Sequence, residues 1–99
     1  DVQRVSSGAV QFVQNVPFKK GRVHRWRVWL RGMAGTGVSL ILRKAGAPYT
    51  TYAEQPVNLS PEWKEVRVFG VMPEDTDGFL MIRALQPMTF WVDDSSLED

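Results

Sequence analysis

The run Arg22–Arg31, Arg-Val-His-Arg-Trp-Arg-Val-Trp-Leu-Arg, constrains the fold more than any other stretch. Counted in alternation, His24, Trp26, Val28 and Leu30 fall on one side, and Val23, Arg25, Arg27, Trp29 and Arg31 on the other. Successive Cβ atoms leave a pleated strand on opposite faces, so a period of two predicts a strand with an apolar inner face. Wound as a helix, the same residues would scatter arginine and tryptophan around the whole cylinder and leave no apolar stripe. The expectation is a central strand that packs a core on one side. Its other side shows a tryptophan among guanidinium groups.

The rest of the chain reads in the same way. Val2–Val5 predicts a short strand before the turn residues Ser6-Ser7-Gly8, and Ala9–Val16 a second strand that Pro17 ends. Val38–Arg43 turns Val38, Leu40 and Leu42 inward, while Tyr49–Val57 reads as a looser strand or loop ending at Pro56. Trp63–Phe69 alternates again, Pro73–Gly78 is an acidic turn, and Phe79–Leu85 and Thr89–Asp93 are the last strands, joined by Gln86-Pro87. About seven to eight short strands with turn signals at regular spacing predict an all-β fold. The expected architecture is a two-sheet antiparallel β-sandwich of jelly-roll or Greek-key kind.

Ninety-nine residues make one small domain, and four tryptophans within a 43% hydrophobic composition supply a core without staples. The absence of cysteine excludes disulfides, zinc–thiolate sites and thiol catalysis. No apolar run approaches the ~20 residues of a membrane-spanning helix. Charge is balanced overall but lopsided: residues 1–44 carry nine Lys/Arg against Asp1, and residues 45–99 carry three against ten Asp/Glu. Interleaved strands would bring these halves together, so internal complementarity is the first reading and a basic recognition face the second.

Catalysis finds little support. The single histidine, His24, falls on the apolar side of its strand as a core imidazole. No nucleophile carries a local signature, and Gly32–Gly37 lacks the lysine and following helix of a phosphate loop. The outward aromatics are more informative. Trp29 shares its face with Arg25, Arg27 and Arg31, and Trp91 alternates with the inward Phe90 and Val92. An exposed indole suits the C–H face of a sugar ring, while arginine and amide groups bond its hydroxyls. Tyr49 and Tyr52 are candidates for a second wall. The same interleaving of basic and aromatic residues would serve single-stranded nucleic acid, but the near-zero net charge argues against it. Asp93-Asp94 and Asp75–Gly78 are the short acidic runs from which a calcium site would be built.

Four pieces in order carry a resemblance: Gln14-x-Val16 with Lys20-Gly21; His24-x-Trp26-x-Val28-Trp29-Leu30-Arg31-Gly32; Val57-x-Leu59-Ser60-Pro61-Glu62-Trp63-Lys64; and Phe90-Trp91-Val92-Asp93-Asp94-Ser95-Ser96-Leu97. Together they resemble the β-sandwich carbohydrate-binding modules of bacterial xylanases and endoglucanases, a galactose-binding-like jelly roll. The resemblance implies that Trp29 lines a sugar groove, that Trp63 is a packing residue, and that Asp93 or Asp94 helps hold a structural calcium. Such modules open on an Asn-Gly-Asp-Phe-Glu-like strand that is not found here.

The expected function is non-catalytic binding of a β-linked plant polysaccharide (β-1,4-glucan, mixed-linkage glucan, xyloglucan or xylan). Trp29, Trp91, Tyr49 and Tyr52 would stack on sugar rings, with Arg25, Arg27, Gln11 and Arg83 bonding hydroxyls. The implied setting is a secreted bacterial glycoside hydrolase whose catalytic domain the module targets. The competing expectations are a structural sandwich domain packed against a catalytic domain, and a binder of nucleic acid or acidic glycan.

Overall fold

The computed structural model describes residues 3–7, 11–84 and 88–98. Eight strands follow in order: β1 Gln3–Ser7, β2 Gln11–Phe18, β3 Val23–Gly32, β4 Gly37–Lys44, β5 Thr51–Asn58, β6 Lys64–Val71, β7 Thr76–Ala84 and β8 Met88–Glu98. They form two four-stranded sheets, β1-β8-β3-β6 and β2-β7-β4-β5, with every pairing antiparallel. This is the β-sandwich that the alternating runs predict. Among the described residues no helix is long and apolar enough to cross a membrane.

The core lies between the sheets and follows the alternation. Trp26, Val28 and Leu30 of β3 meet Leu40 and Leu42 of β4 and Leu80 and Ile82 of β7, with Phe18, Met72 and Phe90 closing the ends. Burying a side chain of this size contributes about 1.5–3 kcal/mol. The Trp26 indole N–H is satisfied inside by Ser95 Oγ at 2.8 Å, which avoids the cost of an orphaned donor. His24 is the core imidazole expected of it. Its ring meets Phe18 edge to face at 5.2 Å, Nε2 accepts from the Lys19 N–H at 3.4 Å, and Nδ1 lies 3.3 Å from the Arg22 carbonyl. Gly78 faces the Phe18 ring so closely that a Cβ there would overlap it.

Several boundaries differ from expectation. Pro17 does not end β2 and Pro56 does not end β5, because both strands are edges of their sheet. An edge strand tolerates a residue without an N–H to donate. The segment read as a looser strand or loop is therefore strand β5 over Thr51–Asn58, irregular at Tyr52, where its pairing with β4 slips. Thr76-Asp77-Gly78 belong to β7 rather than to a turn, since they pair with Phe18, Pro17 and Val16 of β2. β8 runs on past Asp93 through a bulge, where its pairing with β3 slips and Asp94 adopts φ 50°. The expected turn at Gly8 and the Gln86-Pro87 link fall outside the described residues.

Candidate functional site

The two outer faces of the sandwich differ, and the expected site residues divide between them. On the β1-β8-β3-β6 sheet, β3 presents Arg25, Arg27, Trp29 and Arg31 outward, as its alternation predicts. In register, Trp29 is flanked by Glu65 of β6 and Asp93 of β8, and Arg27 by Arg67 and Ser96. Trp29 is half-buried and lines a cleft of about 460 Å³ with Arg27, Glu65, Asp94, Ser95 and Ser96.

Trp91 lies on the same face but is not a bare platform. The Arg31 guanidinium sits 4.7 Å from the centre of its ring and 5.2 Å from that of Trp63, so one cation is held between two indoles. Arg31 Nε is buried without a hydrogen-bond partner, and the two π-faces supply its surroundings. Trp63, expected as a packing residue, packs on this arginine while 38% exposed.

The outer face of the β2-β7-β4-β5 sheet is where sequence reasoning missed most. Ile41 and Met81 belong to positions that point away from the core, yet they are only 1% and 6% exposed. Outward residues of a flat sheet would stand in solvent, so neighbouring side chains cover these two, Arg83 against Met81 among them, and the face they floor is a candidate trough. Three rows cross it in register: Gln11–Arg83–Ser39–Pro56, Val13–Met81–Ile41–Glu54, and Asn15–Phe79–Arg43–Thr51. An apolar strip, Val13–Met81–Ile41 with Phe79 beside it, thus runs between polar rows on both sides. An Arg83 guanidinium nitrogen lies 4.0 Å from the Met81 sulfur, and the buried Arg43 Nε has no partner. The missed signal was legible: Val38-Ser39-Leu40-Ile41-Leu42 and Phe79-Leu80-Met81-Ile82 are apolar on both faces, the pattern of strands covered on both sides.

Of the expected residues, Arg83 belongs to this sheet with Gln11 as its register partner, and Arg25, Arg27, Trp29 and Trp91 lie on the opposite face. Tyr49 is half-exposed in the turn beyond Lys44, at the Phe79 end of the trough, with φ 58°. Tyr52 is not a second wall. Its ring meets Phe18 edge-on at 5.9 Å and its hydroxyl donates to Glu74 Oε2 at 2.7 Å, while Lys44 Nζ bonds Glu74 Oε1 at 3.1 Å. Burial and the Glu74 carboxylate push the Tyr52 hydroxyl up to about 12, and the bonds from Tyr52 and Lys44 hold Glu74 below its usual value.

Asp93 Oδ1 accepts the Asp94 N–H at 2.9 Å, and no group of three or more histidine or acidic side chains converges among the described residues.

Solved carbohydrate-binding modules share this architecture. A CBM4 structure matches with a TM-score of 0.80 at 18% identity, covering 89% of this chain and 59% of that chain. The N-terminal cellulose-binding domain of Cellulomonas fimi β-1,4-glucanase C matches at 0.74 and 19% identity, over 99% of this chain and 76% of that one. The CBM22-1–GH10 modules of Clostridium thermocellum endo-1,4-β-D-xylanase 10B, complexed with xylohexaose, match at 0.60 and 16% identity, over 83% of this chain and 17% of theirs. No family model and no curated protein matches the chain. The fold is that of the β-sandwich carbohydrate-binding modules.

Proposed function

We propose that this chain binds a β-linked polysaccharide without acting on it, in the trough on the β2-β7-β4-β5 sheet. The observation that carries the reading is the buried, outward-facing pair Ile41 and Met81 with arginines on both sides. The apolar strip suits the C–H faces of pyranose rings. Arg83, Asn15 and Arg43 suit their hydroxyls, and the unpartnered Arg43 Nε is a donor awaiting an acceptor. A strip of this length supports weak binding, micromolar to millimolar, or about 4–8 kcal/mol.

The ligand classes are β-1,4-glucan, mixed-linkage glucan, xyloglucan and xylan, and the setting is a secreted glycoside hydrolase to which this domain is attached. Weak binding is useful there because tethering raises the effective concentration of the enzyme at its substrate. The names of the structural neighbours support this, since they include parts of a glucanase and a xylanase. A second reading keeps the sugar on Trp29, supported by the cleft that it shares with Arg27 and Glu65.

Affinity gel electrophoresis on barley β-glucan, xyloglucan, xylan and mannan separates these. Retardation by a β-glucan or xylan that Arg83→Ala removes and Trp29→Ala keeps is the expected result. Loss with Trp29→Ala alone moves the site to the other face, and no retardation on any polymer leaves a structural sandwich domain.

A further inference from the structure

The face opposite the trough carries charge that the proposed function does not use. Arg27 of β3 and Arg67 of β6 are direct cross-strand neighbours, and Arg25 stands next along β3, in register with Phe69. Like charges directly opposite one another destabilise a sheet, so a pair of guanidiniums there calls for a counter-charge. Glu65 supplies one to Arg67, at 2.6 Å. Arg25 and Arg27 make no hydrogen bond or ion pair among the described residues.

A cleft of about 250 Å³ lies over these groups, lined by Arg25, Arg27, Arg67, Phe69, Ser96 and Glu98. Arg25, Arg27 and Arg67 against Glu98 and the Glu65 already paired with Arg67 leave it net positive. Phe69 is 68% exposed, a bare ring at the mouth of a cationic cleft. Trp29 lies four residues from Arg25 along β3, ~13 Å at the rise of a strand, so Arg27 sits between two aromatic rings on one face.

The geometry points to a second glycan site here, selective for uronic acid: Arg27 and Arg25 hold a sugar carboxylate while Phe69 stacks on its ring. A guanidinium fork matches a carboxylate in a paired geometry, and Arg67 already holds a carboxylate on this face, with two of its nitrogens on the single oxygen Glu65 Oε1. Glu98, in the lining and in register with Arg25, and Glu65, on Arg67, set the charge density that is accepted. One carboxylate per sugar meets the unpaired arginines, whereas a densely sulfated or phosphorylated chain meets these acids as well. This inference goes beyond the trough reading and stands on other residues.

Isothermal titration with polygalacturonate, and with the same polymer methyl-esterified, tests it. Binding to the free acid is expected to weaken at least tenfold on esterification and at least tenfold in Arg27→Gln, and to fall as salt is raised. Arg83→Ala, in the trough, is expected to leave it unchanged, so the two sites fail separately. Should Arg27→Gln not fold, the esterified polymer against the wild-type protein still decides. Absence of binding to the free acid, equal binding of the ester, or equal or tighter binding of dextran sulfate overturns the assignment.

Discussion

Ile41 and Met81 face each other across neighbouring strands and point out of the sandwich, yet both are buried. Core burial cannot explain them, because the inner positions on the same strands are taken by Leu40, Leu42, Leu80 and Ile82. Their surroundings are a groove with polar rows on either side. At 1% and 6% exposure they form a floor beneath flanking side chains such as Arg83, and a ligand meets them where those side chains move aside.

Function and stability should therefore separate between adjacent residues. Met81→Ala is expected to cost the fold about 1–2 kcal/mol while weakening polysaccharide binding about tenfold. Leu80→Ala, one position along and facing inward, should cost about 3 kcal/mol and leave the affinity of the folded fraction unchanged. Urea denaturation and titration calorimetry on the two variants check this.

Gly78 leaves space for a ring rather than making a turn. A Cβ there would overlap Phe18, so Gly78→Ala should destabilise by about 2 kcal/mol or more through overpacking. The double variant with Phe18→Leu should recover part of the loss, which a urea melt would show.

The Tyr52–Glu74–Lys44 chain predicts pH dependence at both ends. Glu74 has a lowered folded pKa, so its contribution is present above the unfolded value and is lost as pH falls through the folded one. Tyr52, raised from 10.0 to about 12, contributes fully below pH 10.0, and that stability is lost as pH rises toward about 12. Tyr52→Phe should flatten both limbs of a stability–pH profile. In the wild-type protein, tyrosinate absorbance should show one of the two tyrosines titrating near 12.

The Arg31 sandwich makes a spectroscopic prediction. Arg31→Ala uncovers Trp63 and Trp91 together, so emission should shift to the red and acrylamide quenching increase. The loss of two cation–π contacts should cost about 1–2 kcal/mol. Arg31→Lys, which keeps the charge without the planar group, should recover only part of it.

The fold was legible because alternation is local: the outward set of β3, the core imidazole His24 and the inner set of β4 all follow from counting by two. The sandwich and its antiparallel class came with them. Which outward residues share a sheet was not legible, since sheet order decides that Gln11 and Arg83 fall on one sheet while Arg25, Arg27 and Trp29 fall on the other. The Asp94 bulge and the Trp63–Arg31–Trp91 stack depend on contacts between distant segments, which no local pattern encodes. Pro17 and Pro56 misled for the same reason, because a proline's effect on a strand depends on whether that strand is an edge.

Methyl NMR of the protein labelled at its four methionines tests the central claim most directly. Cellohexaose and xylohexaose are added in turn, with the indole N–H signals followed in the same samples. Saturable shifts of the Met81 methyl, with the Trp29 indole unmoved, are the predicted result. Shifts at Trp29 with Met81 still, or no shift with either sugar, would contradict a binding trough on the β2-β7-β4-β5 sheet.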